Sequence, residues 1–386
     1  MSSKIYQLTM PKMIRFGVGA LETLADELIH WGTSTALVIT DAGVNKAGLI
    51  EPIQEQLTKA EVATSIFAGS EPEPTLSKLD TIADEYRKKR FDILLAVGGG
   101  SSIDTAKGLS VLMTHGGKGI DYLGTNLVPG PCIPVVAVPT TAGTGSEATN
   151  IAIFGDTERQ LKLAIVSPYI FPRLSLVDPT LTYGCPANVS AASGLDALVH
   201  AIECYTGKKA NTFTDALALE AISLIAGSLR TAVADGSNEE ARNHMSEAAM
   251  LGGIMIVNSG TTAVHAMAYP LGARFHVPHG VANSLLLSYV MEQNFCSNLE
   301  KFAMVARTMG EETDGLSLRE AAMRAVVAVK DISNDVGVPQ RLRDLDVPQD
   351  ALEGMAVATM EVTRLMSNNP KELSLDDVRA IWKAAW

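Results

Sequence analysis

The sequence predicts an N-terminal α/β domain over 1–185 with a mainly parallel sheet, followed by an all-helical domain over 186–386. Three observations carry this. Short apolar runs alternate with amphipathic helical stretches in the first half, as crossover-connected strands do. Twelve of the seventeen prolines lie at or before Pro186. Beyond it, alanine, leucine, methionine and glutamate dominate long patterns of helical period.

The strand candidates are Thr35–Thr40 (TALVIT), Val62–Phe67 (VATSIF), Asp92–Val97 (DILLAV) and Ile133–Val138 (IPVVAV). Their near-continuous apolarity suits a sheet covered on both faces. Between them, Leu76–Lys89 repeats Leu76, Leu79, Ile82, Ala83 and Tyr86 at helical spacing. In the second half, Asp215–Val233 and Leu318–Val336 predict long helices, and Ser374 with Asp377 resembles a capping box opening the last one. The boundary is expected near Tyr183–Ala187, with no repeat or flexible linker.

Composition narrows the function classes. A net charge of −12 leaves no basic surplus for phosphates, which argues against nucleic-acid and anionic-membrane partners. No apolar run reaches the roughly 18 residues of a membrane span, and MSSKIYQLTMPK lacks a signal-peptide core. Cys132, Cys185, Cys204 and Cys296 are far apart, with no C-x-x-C pair. They predict free thiols in a reducing cytoplasm and weaken any thiolate-metal reading.

Two segments suggest a ligand. DILLAV runs into Gly98-Gly99-Gly100-Ser101-Ser102 and then a helical stretch through Lys107. Glycines allow close backbone approach, and the following helix start offers N–H groups to an anion, a combination suited to a dinucleotide pyrophosphate. A plain strand-to-helix turn would read the same way. Asp41, just after TALVIT, could accept from a ribose 2′-hydroxyl or be an ordinary turn residue. The hydroxyl-rich run Pro139–Glu147 (PTTAGTGSE) follows another strand and suits a loop pressed on a cofactor, or a polar surface loop.

Asp196 and His200 sit at i, i+4 on one helix face, and His265, His276 and His279 follow within one short window. One carboxylate with imidazoles makes an N/O donor set suited to Fe(II) or Zn(II). The candidate ligands are Asp196, His200, His265 and His279. Packed core histidines and a surface hydrogen bond would explain the same spacing.

Four stretches, GGGSSIDTAK (98–107), PTTAGTGSE (139–147), GLDALVHAIE (194–203) and HAMAYPLGARFHVPHGVAN (265–283), occur in this order and spacing. In them the chain resembles the iron-containing (group III) alcohol dehydrogenases over nearly its full length. The resemblance implies a dehydroquinate-synthase-like two-domain fold: an α/β dinucleotide-binding domain, an all-helical metal domain, and an active site between them. It implies an NAD(H)-dependent enzyme, with one divalent metal (Fe2+ or Zn2+), interconverting a small alcohol and its aldehyde, and a homodimer or higher homo-oligomer.

Carried over by position, the resemblance makes Asp196, His200, His265 and His279 the metal ligands. Gly98, Gly99, Gly100, Ser101 and Asp104 would hold the pyrophosphate. Thr140, Thr141, Thr144 and Ser146 would line the nicotinamide, Lys162 would reach the ribose, and Asp41 would select NAD over NADP. Where many members carry a second histidine four residues after the third ligand, this chain has Tyr269. His276 is then the spare candidate for proton relay, with Tyr269 beside it.

Two other activities fit the same residues. A lyase resembling dehydroquinate synthase would need basic residues for a phosphorylated substrate, and the metal-proximal segment offers mainly Arg274. A non-redox metal hydrolase would treat the glycine turn as structural only.

Overall fold

The computed structural model describes residues 5–156 and 161–386. They form two compact units: Met10–Cys185, and Pro186–Trp386 together with Ile5–Thr9. The N-terminal residues thus depart from the expected 1–185 grouping. Thr9 N donates to Asn258 Oδ1 at 2.7 Å, and Asn258 Nδ2 donates to Thr9 O at 2.8 Å, which ties the segment to the helical unit.

The α/β unit contains β1 (Ile14–Phe16), β2 (Thr35–Ile39), β3 (Ala63–Phe67), β4 (Ile93–Gly98), β5 (Gly124–Thr125), β6 (Val135–Pro139), β7 (Ile151–Asp156), β8 (Leu161–Val166) and β9 (Leu174–Val177). Six form one sheet in the order β1-β9-β6-β4-β2-β3, every pair parallel. Alternation along the strands sends Leu37, Ile39, Leu94 and Ala96 to one face, against Leu79, Ile103 and Leu109. Ala36, Val38, Leu95 and Val97 face Leu24, Leu28, Ile53 and Leu57 on the other. β4 is buried along its whole length, as a central strand covered twice must be. A small second sheet, β5-β8-β7, pairs β7 and β8 antiparallel. The short strands β1 and β9 and this hairpin had no clear signal in the sequence.

The helical unit is built around Ala187–Thr206, buried continuously from Gly194 to Thr206. Thr212–Ala234 and Glu239–Ser259 pack along it. Among the described residues Thr212–Ala234 is long and apolar enough to cross a membrane by length and composition. It buries Ala218, Ala221, Ile222, Ile225 and Leu229 in the bundle. The helices Ala263–Phe275 and His279–Asn294 complete the region that matters for function. A Cβ on Gly280 would come within 2.7 Å of the Ala192 carbonyl oxygen, so only glycine lets the start of His279–Asn294 approach Ala187–Thr206 this closely. Ser374 and Asp377 form the expected capping box on Leu375–Ala385.

Candidate functional site

Burial makes the polar residues of Ala187–Thr206 conspicuous. Asp196, His200 and Glu203 are at most 4% exposed, and unpartnered they would cost several kcal/mol. The structure brings all four predicted ligands together. Ligand atoms of Asp196, His265 and His279 lie within 4.8 Å of one another, and His200 Nε2 is 2.9 Å from His265 Nε2. The His200 and His265 rings stack with centroids 4.7 Å apart. Three helices supply these side chains, with Asp196 and His200 one turn apart on the first.

Glu203 was missed as a functional residue, although it follows His200 by three and so shares its face. Its carboxylate accepts from Thr262 N (3.0 Å), Thr262 Oγ1 (2.5 Å), Val264 N (2.7 Å) and His265 Nδ1 (2.6 Å). Val264 N belongs to the first turn of Ala263–Phe275 and Thr262 N to its N-cap, where backbone N–H groups lack carbonyl partners and Thr262 provides no side-chain cap. The carboxylate therefore caps that helix and claims the Nδ1 proton of His265. That leaves His265 Nε2 as the lone-pair atom turned toward His200. Burial disfavours the Glu203 carboxylate, yet His265 and Thr262 outweigh it and hold its pKa below the ordinary value. Asp196 behaves alike: burial opposes its charge, and His200, His279, His265 and Asn283 prevail.

Asn283 was missed too. It lies one turn after His279 and is completely buried. Its Nδ2 lies 2.6 Å from Asp196 Oδ1, 3.2 Å from His265 Nε2 and 3.1 Å from His279 Nε2. The electropositive end of a buried amide thus faces three of the candidate ligand atoms, while its Oδ1 has no hydrogen-bond partner. Donors converging on one electropositive group, with an orphaned amide oxygen beside it, fit a divalent cation bound by one carboxylate and three imidazoles.

The glycine turn is assembled in the α/β unit. Gly98 ends β4 at φ 153°, and a Cβ there would lie 2.6 Å from Ser102 Oγ and 3.3 Å from Asp41 Oδ2. A Cβ on Gly99 would approach Thr141 Oγ1 to 3.3 Å, and one on Gly100 would meet Thr144 at 2.9 Å. Asp41, the three glycines, Thr141 and Thr144 are therefore one cluster at the C-terminal end of the sheet. Thr140 N donates to Gly98 O at 3.1 Å. The helix Gly100–His115 starts here with no side-chain cap, leaving the first-turn N–H groups around Ser101 to an anion. Ser102 Oγ is buried without a partner. Asp41 is also a turn residue: Oδ1 caps Ala42–Lys46 by accepting from Val44 N at 2.9 Å, and Oδ2 lies toward Gly98.

Three expected cofactor contacts are turned inward. Asp104 Oδ1 accepts from Ser146 Oγ at 2.6 Å and Oδ2 from Ile153 N at 2.9 Å, so both oxygens bridge protein segments. Ser146 is buried in that bridge. Lys162 Nζ lies 2.6 Å from Glu73 Oε1, an ion pair with the lysine side chain 8% exposed. Its charge meets a carboxylate within the same unit.

The proton-relay candidates separate. Tyr269 is buried one turn after His265 and packs with Ala266 and Leu365. His276 is exposed and ends Ala263–Phe275 in the left-handed region at φ 55°.

Comparison with known proteins decides the family. Residues 11–179 match the model of the iron-containing alcohol dehydrogenases, and 190–386 match the C-terminal model of the same family. The chain belongs to the iron-containing alcohol dehydrogenase family. It is 39% identical over 388 residues to 1,3-propanediol dehydrogenase of Klebsiella pneumoniae, covering 100% of both chains. A crystal structure of 1,3-propanediol oxidoreductase superposes with a TM-score of 0.96 at 39% identity, covering 99% of this chain and 100% of that one. Sulfoacetaldehyde reductase from Bifidobacterium kashiwanohense, solved in complex with NAD+, superposes at 0.87 with 29% identity over 99% of each chain. This iron-containing alcohol dehydrogenase is thus a metal-dependent, NAD-linked oxidoreductase acting on alcohols or aldehydes. The lyase and hydrolase readings give way to that membership.

Proposed function

We propose that Asp196, His200, His265 and His279 hold one divalent metal, iron or zinc, and that Asp41, the Gly98–Ser101 turn, Thr140, Thr141 and Thr144 hold NAD(H). The observation that carries the reading is the convergence of the four ligand side chains, with Glu203 directing the lone pair of His265 inward. When bound, the metal supplies Lewis acidity toward an alcohol or aldehyde oxygen, and the nicotinamide gives or takes the hydride. The protein's own part is orientation: Glu203 fixes one imidazole, Asn283 donates to Asp196, and apolar helix faces limit water.

Likeness to a 1,3-propanediol dehydrogenase makes short diols and their hydroxyaldehydes the first substrates to try. The four free cysteines fit a reducing cytoplasm, and the exposed edge of β1, with Phe16 and Val18, fits a homodimer. The test is NADH oxidation across small aldehydes with chelator-treated enzyme before and after adding Fe2+ or Zn2+. Turnover that returns with metal is the expected result. Silence with every aldehyde, or turnover indifferent to the chelator, would overturn the reading.

A further inference from the structure

Lys107 is completely buried, although nothing in hydride transfer calls on it. Its Nζ donates to Ser146 O (2.7 Å), Ser146 Oγ (3.1 Å), Thr149 Oγ1 (2.9 Å) and Ile151 O (2.8 Å). An ammonium group has three hydrogens, so these four oxygens saturate it. Asp104, one turn earlier on the same helix, takes the Ser146 hydroxyl proton and the Ile153 N–H. Ser146 is therefore gripped from both sides, and β7 is drawn in with it. The first turn of this helix is the glycine turn, and Thr144, two residues before Ser146, rests against Gly100.

We infer that Lys107, with Asp104, is a positioning residue that holds the Thr140–Ser146 loop at a set distance from the glycine turn and thereby determines affinity for the dinucleotide. Uncharged groups could tie this loop with less desolvation cost, and fixing register is one use of a fully buried charge. The groups facing Lys107 are Asp104 from its own helix and Glu147 from the loop. Both favour the ammonium form. The hydroxyls Ser146 and Thr149 complete its shell.

The inference rests on the dinucleotide reading, so both are tested together on the full-length holoenzyme. Readouts are the NADH Kd from cofactor fluorescence, KM and kcat, and the unfolding midpoint. Lys107→Met is expected to raise the Kd and KM for NADH about tenfold, with kcat at saturating NADH and the aldehyde KM within about threefold. Thr149→Val, which removes one of the acceptors, should weaken NADH binding by about threefold in a protein that still folds cooperatively, its unfolding midpoint lowered by the loss of one buried hydrogen-bond partner. Gly99→Val blocks the turn itself. If Gly99→Val binds NADH normally, the dinucleotide reading fails. If it loses NADH while Lys107→Met binds it as tightly as wild type, only the present inference fails. Should Lys107→Met not fold, Thr149→Val decides, and an unchanged NADH Kd there overturns the inference.

Discussion

His265 Nδ1 lies 2.6 Å from Glu203 Oε2, across 62 residues of sequence, and both side chains are buried. The same carboxylate caps the helix that carries His265. Helix placement and imidazole tautomer are therefore set by one residue, which residue type alone does not single out from the chain's other glutamates.

Replacing Glu203 with Gln should weaken metal binding rather than abolish the fold. An amide can still accept from Thr262 and Val264, but its NH2 would oppose the His265 Nδ1–H and favour the wrong tautomer. Loss of such a partner typically costs about 10–100-fold in metal affinity. Metal content during titration with a competing chelator measures it. Wild-type affinity in the variant would remove Glu203 from the centre.

Asp41 has two duties, and they can be separated. Serine keeps an oxygen to cap Ala42–Lys46 and removes the charge that would repel a 2′-phosphate. Asp41→Ser should raise the NADP(H)-to-NAD(H) preference more than about tenfold at unchanged stability. Steady-state kinetics with both cofactors check it. An unaltered ratio would put Asp41 outside the adenosine site.

Glu147 supplies a pH signature. Burial pushes its carboxyl up to about 7, with its own backbone N–H and Lys107 pulling back only in part. A group that holds its proton more tightly when folded lends stability that is complete below its unfolded value of 4.5 and lost as pH rises toward 7. Lys107, lowered to about 8, has the opposite sign and acts above this window. Between these limits the unfolding midpoint of wild type should fall relative to that of Glu147→Gln. Parallel curves for the two proteins would contradict the assignment.

His276 adopts a left-handed backbone that glycine occupies without strain. His276→Gly should stabilise the protein by about 1 kcal/mol, and His276→Ala should not. Denaturant midpoints measure this. With the side chain exposed, neither change should alter the alcohol-oxidation rate more than about threefold. A hundredfold loss would restore His276 as a relay.

Much of the fold was legible locally. The runs at 35–40, 62–67, 92–97 and 133–138 became β2, β3, β4 and β6 within two residues at each end. Continuous apolarity is a strong signal for a strand covered on both faces. β1 has three residues and β9 four, too short for any period to emerge. The 48 residues from Ala187 to Ala234 repeat helical patterns long enough to read without a structure.

By itself, the sequence determined the element types and the change from α/β to helical texture at Pro186, and made Asp196, His200, His265 and His279 the candidate donors. These follow from short-range periodicity, from side-chain chemistry and from the resemblance carried by the motifs. Only tertiary structure decided what those donors meet: Glu203 on His265, Asn283 among the imidazoles, Lys107 and Asp104 beneath the Thr-rich loop, Lys162 on Glu73. Apart from Asn283 and His279, one turn apart on a helix, these contacts join segments roughly 20 to 90 residues apart. A buried polar group takes whichever partner packing brings to it, and packing is a property of the whole chain rather than of any window within it.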